Sequence, residues 1–271
     1  MMRSVLFVWS LFMACVSFAQ RTGPAAPFTL GSTERIHSVT LGEDRVLNIA
    51  LPLGYHPDSA ARYPVVYLLD GGADEDFIHI AGLAQFAAFE WIAWMQPSII
   101  VGIANVDRQR DLTHPTSIAS DKAEFPTTGG SVAFMTFLQK EVIPFVEASY
   151  RTFPDRTLIG QSLGGLFATE VLLRKPYLFN HYIIVSPSLW WDNGSVLAIP
   201  TDSLSAPDIG VASVYIAVGQ EGKVMVGGSK KLAALAKKAH VQVGFDQLKD
   251  HDHANILHRA VLDAVRWRAG K

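Results

Sequence analysis

Cysteine is nearly absent from this sequence: Cys15 is the only one among 271 residues. A single cysteine excludes a disulfide within the chain, so the protein must rely on its core for stability. With 49% hydrophobic residues, a chain of this length can bury a full apolar core. One α/β domain of this size is ordinary, and we expect a single domain over residues 20–271.

An excess of basic charge is also missing. The formal net charge is −2, and no stripe of Lys and Arg with interleaved aromatic residues occurs, so nucleic acid is not an expected partner. Metal ligands are sparse as well. His251 and His253 lie beside aspartates, but no second ligand group of matching spacing exists elsewhere, and we expect no metal.

The chain contains no apolar run long enough to cross a bilayer, which requires roughly 20 residues. The run Val5–Val16 follows Arg3 and precedes Ser17–Ala19, a pattern typical of a secretory signal peptide over residues 1–19. A lipoprotein attached through Cys15 is the alternative, but the residues before it fit a lipobox poorly. The sequence therefore predicts a secreted or periplasmic protein without stable membrane insertion.

Short apolar runs alternate with helical patterns through the rest of the chain. Such alternation predicts a mostly parallel central sheet of about eight strands with helices on both faces. The expected strands are Glu34–Thr40, Arg45–Leu51, Pro64–Leu69, Ser98–Ile103, Thr157–Gly160, His181–Val185, Val214–Val218 and Gln242–Leu248. The expected helices are Phe77–Met95, Val132–Ser149 with a possible kink at Pro144, Leu166–Arg174, Ser229–Ala239 and a last one that ends at Trp267.

Ser162 lies between a predicted strand and a predicted helix, with Gly160 and Gly164 two residues away on either side. This arrangement is typical of a nucleophile elbow, in which a serine occupies a strained turn and flanking side chains would collide with the neighbouring strand and helix. Gly165 would let the helix pack closely. A bare G-x-S-x-G is weak evidence because Gly and Ser are common residues, but the strand before it and the helix after it favour the α/β-hydrolase fold.

Two backbone N–H groups are candidates for an oxyanion hole. In a serine hydrolase of this layout, one donor follows the nucleophile and the other lies after the third strand. The sequence therefore predicts Leu163 and Gly72 as donors, with Gly71 as an alternative to Gly72. The pair Gly71-Gly72 could also be a simple tight turn.

A serine nucleophile requires a histidine base and an acid that orients it. Glu221 follows a late strand, and His251 and His253 follow the last strand, which gives the order serine, acid, histidine along the chain. From the residues alone, Asp192 is a second candidate for the acid, and His251 competes with His253 for the base.

A polar loop over residues 105–128 and a pair of tryptophans are candidates for substrate binding. Arg108 and Arg110 could bind an acidic or hydroxylated substrate, or they could form surface salt bridges. Trp190 and Trp191 could line a pocket or cover the end of the sheet. We predict Arg110, Trp190 and Trp191 as substrate-binding residues.

Six segments together resemble the "putative esterase" family of α/β-hydrolases, which includes esterase D and the siderophore esterases that act on ferric enterobactin. The matching segments cover nearly the whole sequence after residue 19, and they are Val66–Gly71, Arg110–Thr113, Gly160–Gly165, Ser186–Trp191, Val218–Glu221 and Asp252–Ala254. The resemblance implies His253 as the catalytic base and Glu221 as the acid. His114 before Pro115 departs from the family pattern, in which threonine and proline tend to be adjacent.

The expected activity is hydrolysis of a small-molecule carboxylic ester through an acyl-enzyme on Ser162, without a cofactor. A siderophore lactone or a small acyl or phenolic ester would be the substrate. Two alternatives use the same fold: an acyltransferase that passes the acyl group to another alcohol, and a binding protein without catalysis.

Overall fold

One eight-stranded sheet organises the protein. The computed structural model describes residues 19, 21–206 and 209–271, and within them the strands follow the order β1-β2-β4-β3-β5-β6-β7-β8. The strands are β1 Ser32–Ser38, β2 Glu43–Ala50, β3 Tyr63–Leu68, β4 Ile99–Ile103, β5 Thr152–Gln161, β6 His181–Val185, β7 Ser213–Gly219 and β8 Gln242–Leu248. The predicted fold, with a sheet of about eight strands, is confirmed.

Among the strands of the described residues, β2 alone runs opposite to the others. β1 pairs with β2 as a hairpin, and β2 pairs antiparallel with β4. The pairs from β4 through β8 are parallel. Gly42 closes the hairpin with a φ of 69°, a left-handed conformation that glycine adopts at little cost.

Helices cover both faces of the sheet. The helices are α1 Phe77–Ala87, α2 Arg108–Leu112, α3 Ala119–Glu124, α4 Ser131–Phe137, α5 Ile143–Ser149, α6 Leu163–Arg174, α7 Gly222–Lys238 and α8 Leu257–Arg268. α1 and α8 pack on one face, with residues such as Ile80 and Val261 in its apolar cluster. The longer α4–α5 segment, α6 and α7 cover the other face, where Phe137, Val171 and Leu232 are fully buried.

Two helix boundaries lie far from the sequence-based expectation. α1 ends at Ala87, not at Met95, and the chain then makes turns in which Ala93 has a φ of 50°. α7 begins seven residues earlier than predicted, at Gly222. After α1 the chain bonds to itself locally, since Trp94 N–H donates to the Ala87 carbonyl at 2.9 Å. The loop over residues 105–128 holds two short helices, α2 and α3.

The expected kink near Pro144 takes a different form. A π-helical turn, Leu138–Val142, joins α4 to α5, and Pro144 lies in the first turn of α5. At that position the missing N–H of proline costs little, because the extra residue of the π turn has already changed the hydrogen-bond register.

The carboxyl ends of the parallel strands meet at one edge of the sheet, which is where ligands bind in open α/β folds. Asp70, Ser162, Ser186 and Glu221 all follow strands at this edge. Among the described residues, no helix has the length and apolar character needed to span a bilayer. The predicted signal peptide lies outside the described residues, apart from Ala19.

Candidate active site

Ser162 occupies a strained turn between β5 and α6. Its φ of 59° and ψ of −118° lie in a region that non-glycine residues rarely adopt. The turn is fixed on both sides, because Ser162 N–H donates to the Val185 carbonyl at 3.0 Å and its own carbonyl accepts from Leu166 at 2.9 Å. Strain of this kind at the end of a central strand is the backbone geometry of a nucleophile elbow.

The glycines around Ser162 permit close backbone contacts. A Cβ on Gly160 would lie 2.3 Å from the carbonyl oxygen of Gly164, and a Cβ on Gly165 would lie 2.9 Å from Cα of Pro187. Gly164 is less constrained, since its Cβ would meet Asp70 Oδ2 at 3.3 Å. Gly160 is therefore the flanking position that excludes a side chain most strictly.

Glu221 and His253 lie in direct contact. Oε2 of Glu221 is 2.6 Å from Nδ1 of His253. The other oxygen, Oε1, accepts hydrogen bonds from Ser186 Oγ and, at 2.9 Å, from the backbone of Gly219. The Glu221 side chain is 6% exposed, against 46% for His253. A buried, hydrogen-bonded carboxylate of this kind fixes the orientation of the imidazole.

The loop that carries His253 is attached to the turn that carries Ser162. Gln161 Nε2 donates to the His253 carbonyl at 2.5 Å. Ser162 Oγ lies 3.4 Å from Ser188 Oγ, and within the described part of the chain Ser162 Oγ forms no hydrogen bond with the His253 ring. Catalytic hydrogen bonds commonly form or shorten only when a substrate is bound, so the lack of this bond does not exclude Ser162 and His253 as nucleophile and base.

The competing acid and base candidates have other contacts. The Asp192 carboxylate accepts from Thr116 Oγ1 at 2.9 Å and from the Ser117 backbone at 3.0 Å. Hydrogen bonding, with Ser195 as the main donor, lowers the pKa of Asp192. The ring of His251 lies 6.4 Å from the His258 ring. Of the four candidates, Glu221 and His253 are the pair in contact.

The predicted oxyanion donors differ in availability. Leu163 is the first residue of α6, where backbone N–H groups have no partner within the helix. Gly72 N–H donates to Glu75 Oε2 at 2.6 Å, whereas Gly71 N–H donates to the Ile103 carbonyl at 3.0 Å. Of the two glycines, Gly72 can be freed by movement of a side chain alone.

Arg110 is held by carboxylates of its own chain. Its guanidinium bonds to both oxygens of Glu43 and to Asp111, and these bonds raise its pKa. Arg108 lies nearer the predicted nucleophile, since it makes a bidentate pair with Asp70 at 2.6 and 2.9 Å and approaches the Gln161 carbonyl at 3.4 Å. Substrate binding by Arg110 stays a prediction, and it would require one of these ion pairs to open.

The two tryptophans have different environments. Trp191 is fully buried, and its Nε1 donates to the His114 carbonyl at 2.9 Å. Trp190 is 36% exposed and contacts Trp191 edge-on. Both lie in the loop that carries Ser188. Trp190 can therefore contact a ligand directly, whereas buried Trp191 packs behind Trp190 and supports it.

Sequence reasoning missed three polar residues around the site. Ser186 donates to the Glu221 carboxylate. Gln161 donates to the backbone carbonyl of His253. Glu75 accepts from Gly72 N–H. Ser186 and Gln161 both lie inside motifs that the sequence singled out, so their positions were visible although their contacts were not. Glu75 had no signal beyond its place in a short acidic run.

A second Ser, His, Asp arrangement lies at the opposite edge of the sheet. His181 Nδ1 is 2.7 Å from Ser213 Oγ, and its Nε2 is 3.1 Å from Asp155 Oδ1. His181 and Ser213 border an apolar cavity of about 30 Å³ between the sheet, α1 and α8, a space that holds only one or two water molecules. Ser213 lies in a regular strand, without the turn that exposes a nucleophile.

Comparison with known proteins identifies relatives that hydrolyse esters. The ferri-bacillibactin esterase BesA of Bacillus subtilis (strain 168) is 29% identical over 273 residues, which cover 90% of this chain and 92% of the relative. An IroE-like serine hydrolase from Shewanella oneidensis has a similar structure, with a TM-score of 0.77, 30% identity, and coverage of 88% of this chain and 79% of that one. The BES protein from Bacillus cereus has a TM-score of 0.78 and 26% identity, with coverage of 92% and 98%.

The family model described as "Putative esterase" matches residues 38–260, a span that includes the elbow, Glu221 and His253. The match extends over most of the chain, and the structural neighbours have the same layered α/β architecture. The chain therefore belongs to this esterase family and is a serine esterase with the α/β-hydrolase fold.

Proposed function

We propose that this protein is an exported carboxylic-ester hydrolase in which Ser162, His253 and Glu221 form the catalytic triad. The contact of 2.6 Å between Glu221 and His253 carries the proposal, because it joins the predicted acid to the predicted base beside the elbow. Relatives named as esterases of siderophores support a siderophore lactone, or a related small acyl or phenolic ester, as the substrate class.

The proposed reaction has two halves. Ser162 Oγ attacks the ester carbonyl while His253 takes the hydroxyl proton, and Glu221 stabilises the imidazolium that forms. The C–O bond to the alcohol breaks, and the alcohol leaves with the proton from His253. Water then adds to the acyl-enzyme by the same route and regenerates Ser162.

Two backbone donors stabilise the negative charge in this mechanism. The N–H groups of Leu163 and Gly72 bind the oxyanion of each tetrahedral intermediate. Removing one such donor typically lowers turnover by about 10²–10³.

Hydrolysis of a short-chain p-nitrophenyl ester by the purified protein tests the chemistry, with Ser162→Ala as the matched variant. We expect activity and fluorophosphonate labelling in the wild type and neither in the variant. A wild type that neither labels nor hydrolyses the ester would overturn the proposal and favour a binding protein on the same fold.

Substrate class and export need separate measurements. A panel of a triscatecholate siderophore lactone, a hydroxamate siderophore ester, a feruloyl ester and an acetyl ester is expected to give the highest kcat/KM with a siderophore. Export is tested by recovering the protein outside the cytoplasm and measuring its mass. We expect a mass that corresponds to a chain beginning at Gln20.

A further inference from the structure

A carboxylate of the protein itself occupies the predicted oxyanion donor. Glu75 Oε2 accepts from Gly72 N–H at 2.6 Å, and a Cβ placed on Gly72 would lie 2.7 Å from the same oxygen. A carboxylate oxygen carries partial negative charge, as an oxyanion does, so both compete for this donor.

The carboxylate of Glu75 is held by few contacts. Its second oxygen accepts from Asn105 Nδ2 at 2.7 Å, and the residue is exposed. Asn105 Nδ2 also donates to Asp70 Oδ1 at 2.7 Å, and Arg108 pairs with both oxygens of Asp70. Asn105 therefore keeps its bond to Asp70 when Glu75 turns away towards solvent.

The backbone around Gly72 does not depend on the Glu75 side chain. Asp76 N–H donates to the Asp70 carbonyl at 3.1 Å, and Glu75 N–H donates to the Gly72 carbonyl at 3.1 Å. The N–H of Gly72 thus keeps its direction when the carboxylate leaves, so the donor is already placed for a new acceptor.

We propose that Glu75 is a gate residue of the active site: its carboxylate fills the oxyanion hole in the free enzyme and must be displaced by the ester carbonyl. The inference rests on the proposed function. We call the state in which Glu75 has left Gly72 N–H the open state. Because substrate binds only this state, the apparent affinity for a neutral carbonyl or phosphoryl group is reduced in proportion to the fraction of molecules that are open.

The rate of inactivation by a neutral fluorophosphonate measures the gate directly, since the phosphoryl oxygen of the reagent must enter the same hole. We expect Glu75→Ala to accelerate inactivation on the order of threefold to tenfold. Glu75→Gln should fall between that variant and the wild type, because its neutral amide oxygen is a weaker acceptor. kcat/KM for a neutral short-chain ester should rise in the same order.

Asp74→Ala is the matched control. It removes one negative charge from the neighbouring position, where Asp74 is exposed, and it leaves the bond from Gly72 N–H to Glu75 in place. Its inactivation rate should equal that of the wild type. Circular dichroism melting verifies that each variant is folded.

Three outcomes would overturn the gate. The first is an inactivation rate of Glu75→Ala equal to that of the wild type. The second is a slower rate, which would mean that Glu75 supports the loop. The third is an acceleration no larger than that of Asp74→Ala, which would mean a general charge effect. These results are distinct from failure of the proposed function, in which the wild type itself would not label and both proposals would fall together.

Discussion

The carboxylate of Glu221 lies 2.6 Å from Nδ1 of His253 and is itself held by Ser186 and Gly219. The acid is almost completely buried while the imidazole is half exposed. This arrangement leaves Nε2 of His253 as the ring atom able to face a nucleophile.

Replacing Glu221 by Gln should lower kcat by about 10³–10⁴, because the amide would favour the wrong tautomer of His253 and could not stabilise the imidazolium. Asp192→Asn is the control, since Asp192 bonds to Thr116 and Ser117 instead of the histidine. Steady-state hydrolysis of a p-nitrophenyl ester gives both values. A larger loss in Asp192→Asn would assign the triad acid to Asp192.

The two neighbouring histidines should respond very differently to substitution. His253→Ala removes the proposed base and should reduce kcat on the order of 10⁶. His251→Ala should retain most of the activity, because His251 holds Gln220 through its backbone carbonyl. Single-turnover acylation of both variants is the measurement, and equal losses would contradict the assignment of the base.

A side chain at Gly160 should destabilise the elbow. The added Cβ in Gly160→Ala would lie 2.3 Å from the Gly164 carbonyl oxygen, so the backbone must shift, at a cost of about 1–3 kcal/mol. Gly82→Ala in α1 is the matched control, since its Cβ meets nothing within 4 Å and should stabilise the helix by about 0.5–1 kcal/mol. Urea unfolding compares the two, and equal free energies of unfolding would contradict the packing argument.

His114 should make stability depend on pH. Burial lowers its pKa below the ordinary 6.5, although Glu170 and Asp192 oppose this. The unfolded chain therefore takes up a proton that the folded protein resists. Stability is fully present above pH 6.5 and is lost as the pH falls from 6.5 towards the lower pKa of the folded protein, by at most about 1.4 kcal/mol per pH unit.

His114→Gln should flatten this dependence when urea midpoints are compared at about pH 7.5 and pH 5. His56→Gln is the control, because the His56 side chain is 68% exposed and its replacement should leave the slope unchanged. Identical slopes in wild type and His114→Gln would show that another group causes any loss of stability in acid.

The sequence by itself determined the sheet and the position of Ser162. Apolar runs of strand length and the spacing of Gly160, Ser162 and Gly164 depend on local sterics, and local sterics can be derived from residue types. The end of α1 at Ala87 and the early start of α7 could not be derived this way, because no side chain of the described residues caps either helix at its N-terminus and no glycine or proline directly follows α1.

Only the tertiary structure decided which polar groups meet. From the residues alone, Glu221 and Asp192 were both candidates for the acid, and contact with His253 separates them. Glu75 lies three residues from Gly72, yet its contact with that N–H depends on the loop conformation. Side-chain contacts between loops are set by how the strands are ordered, and a linear sequence specifies strand order only indirectly.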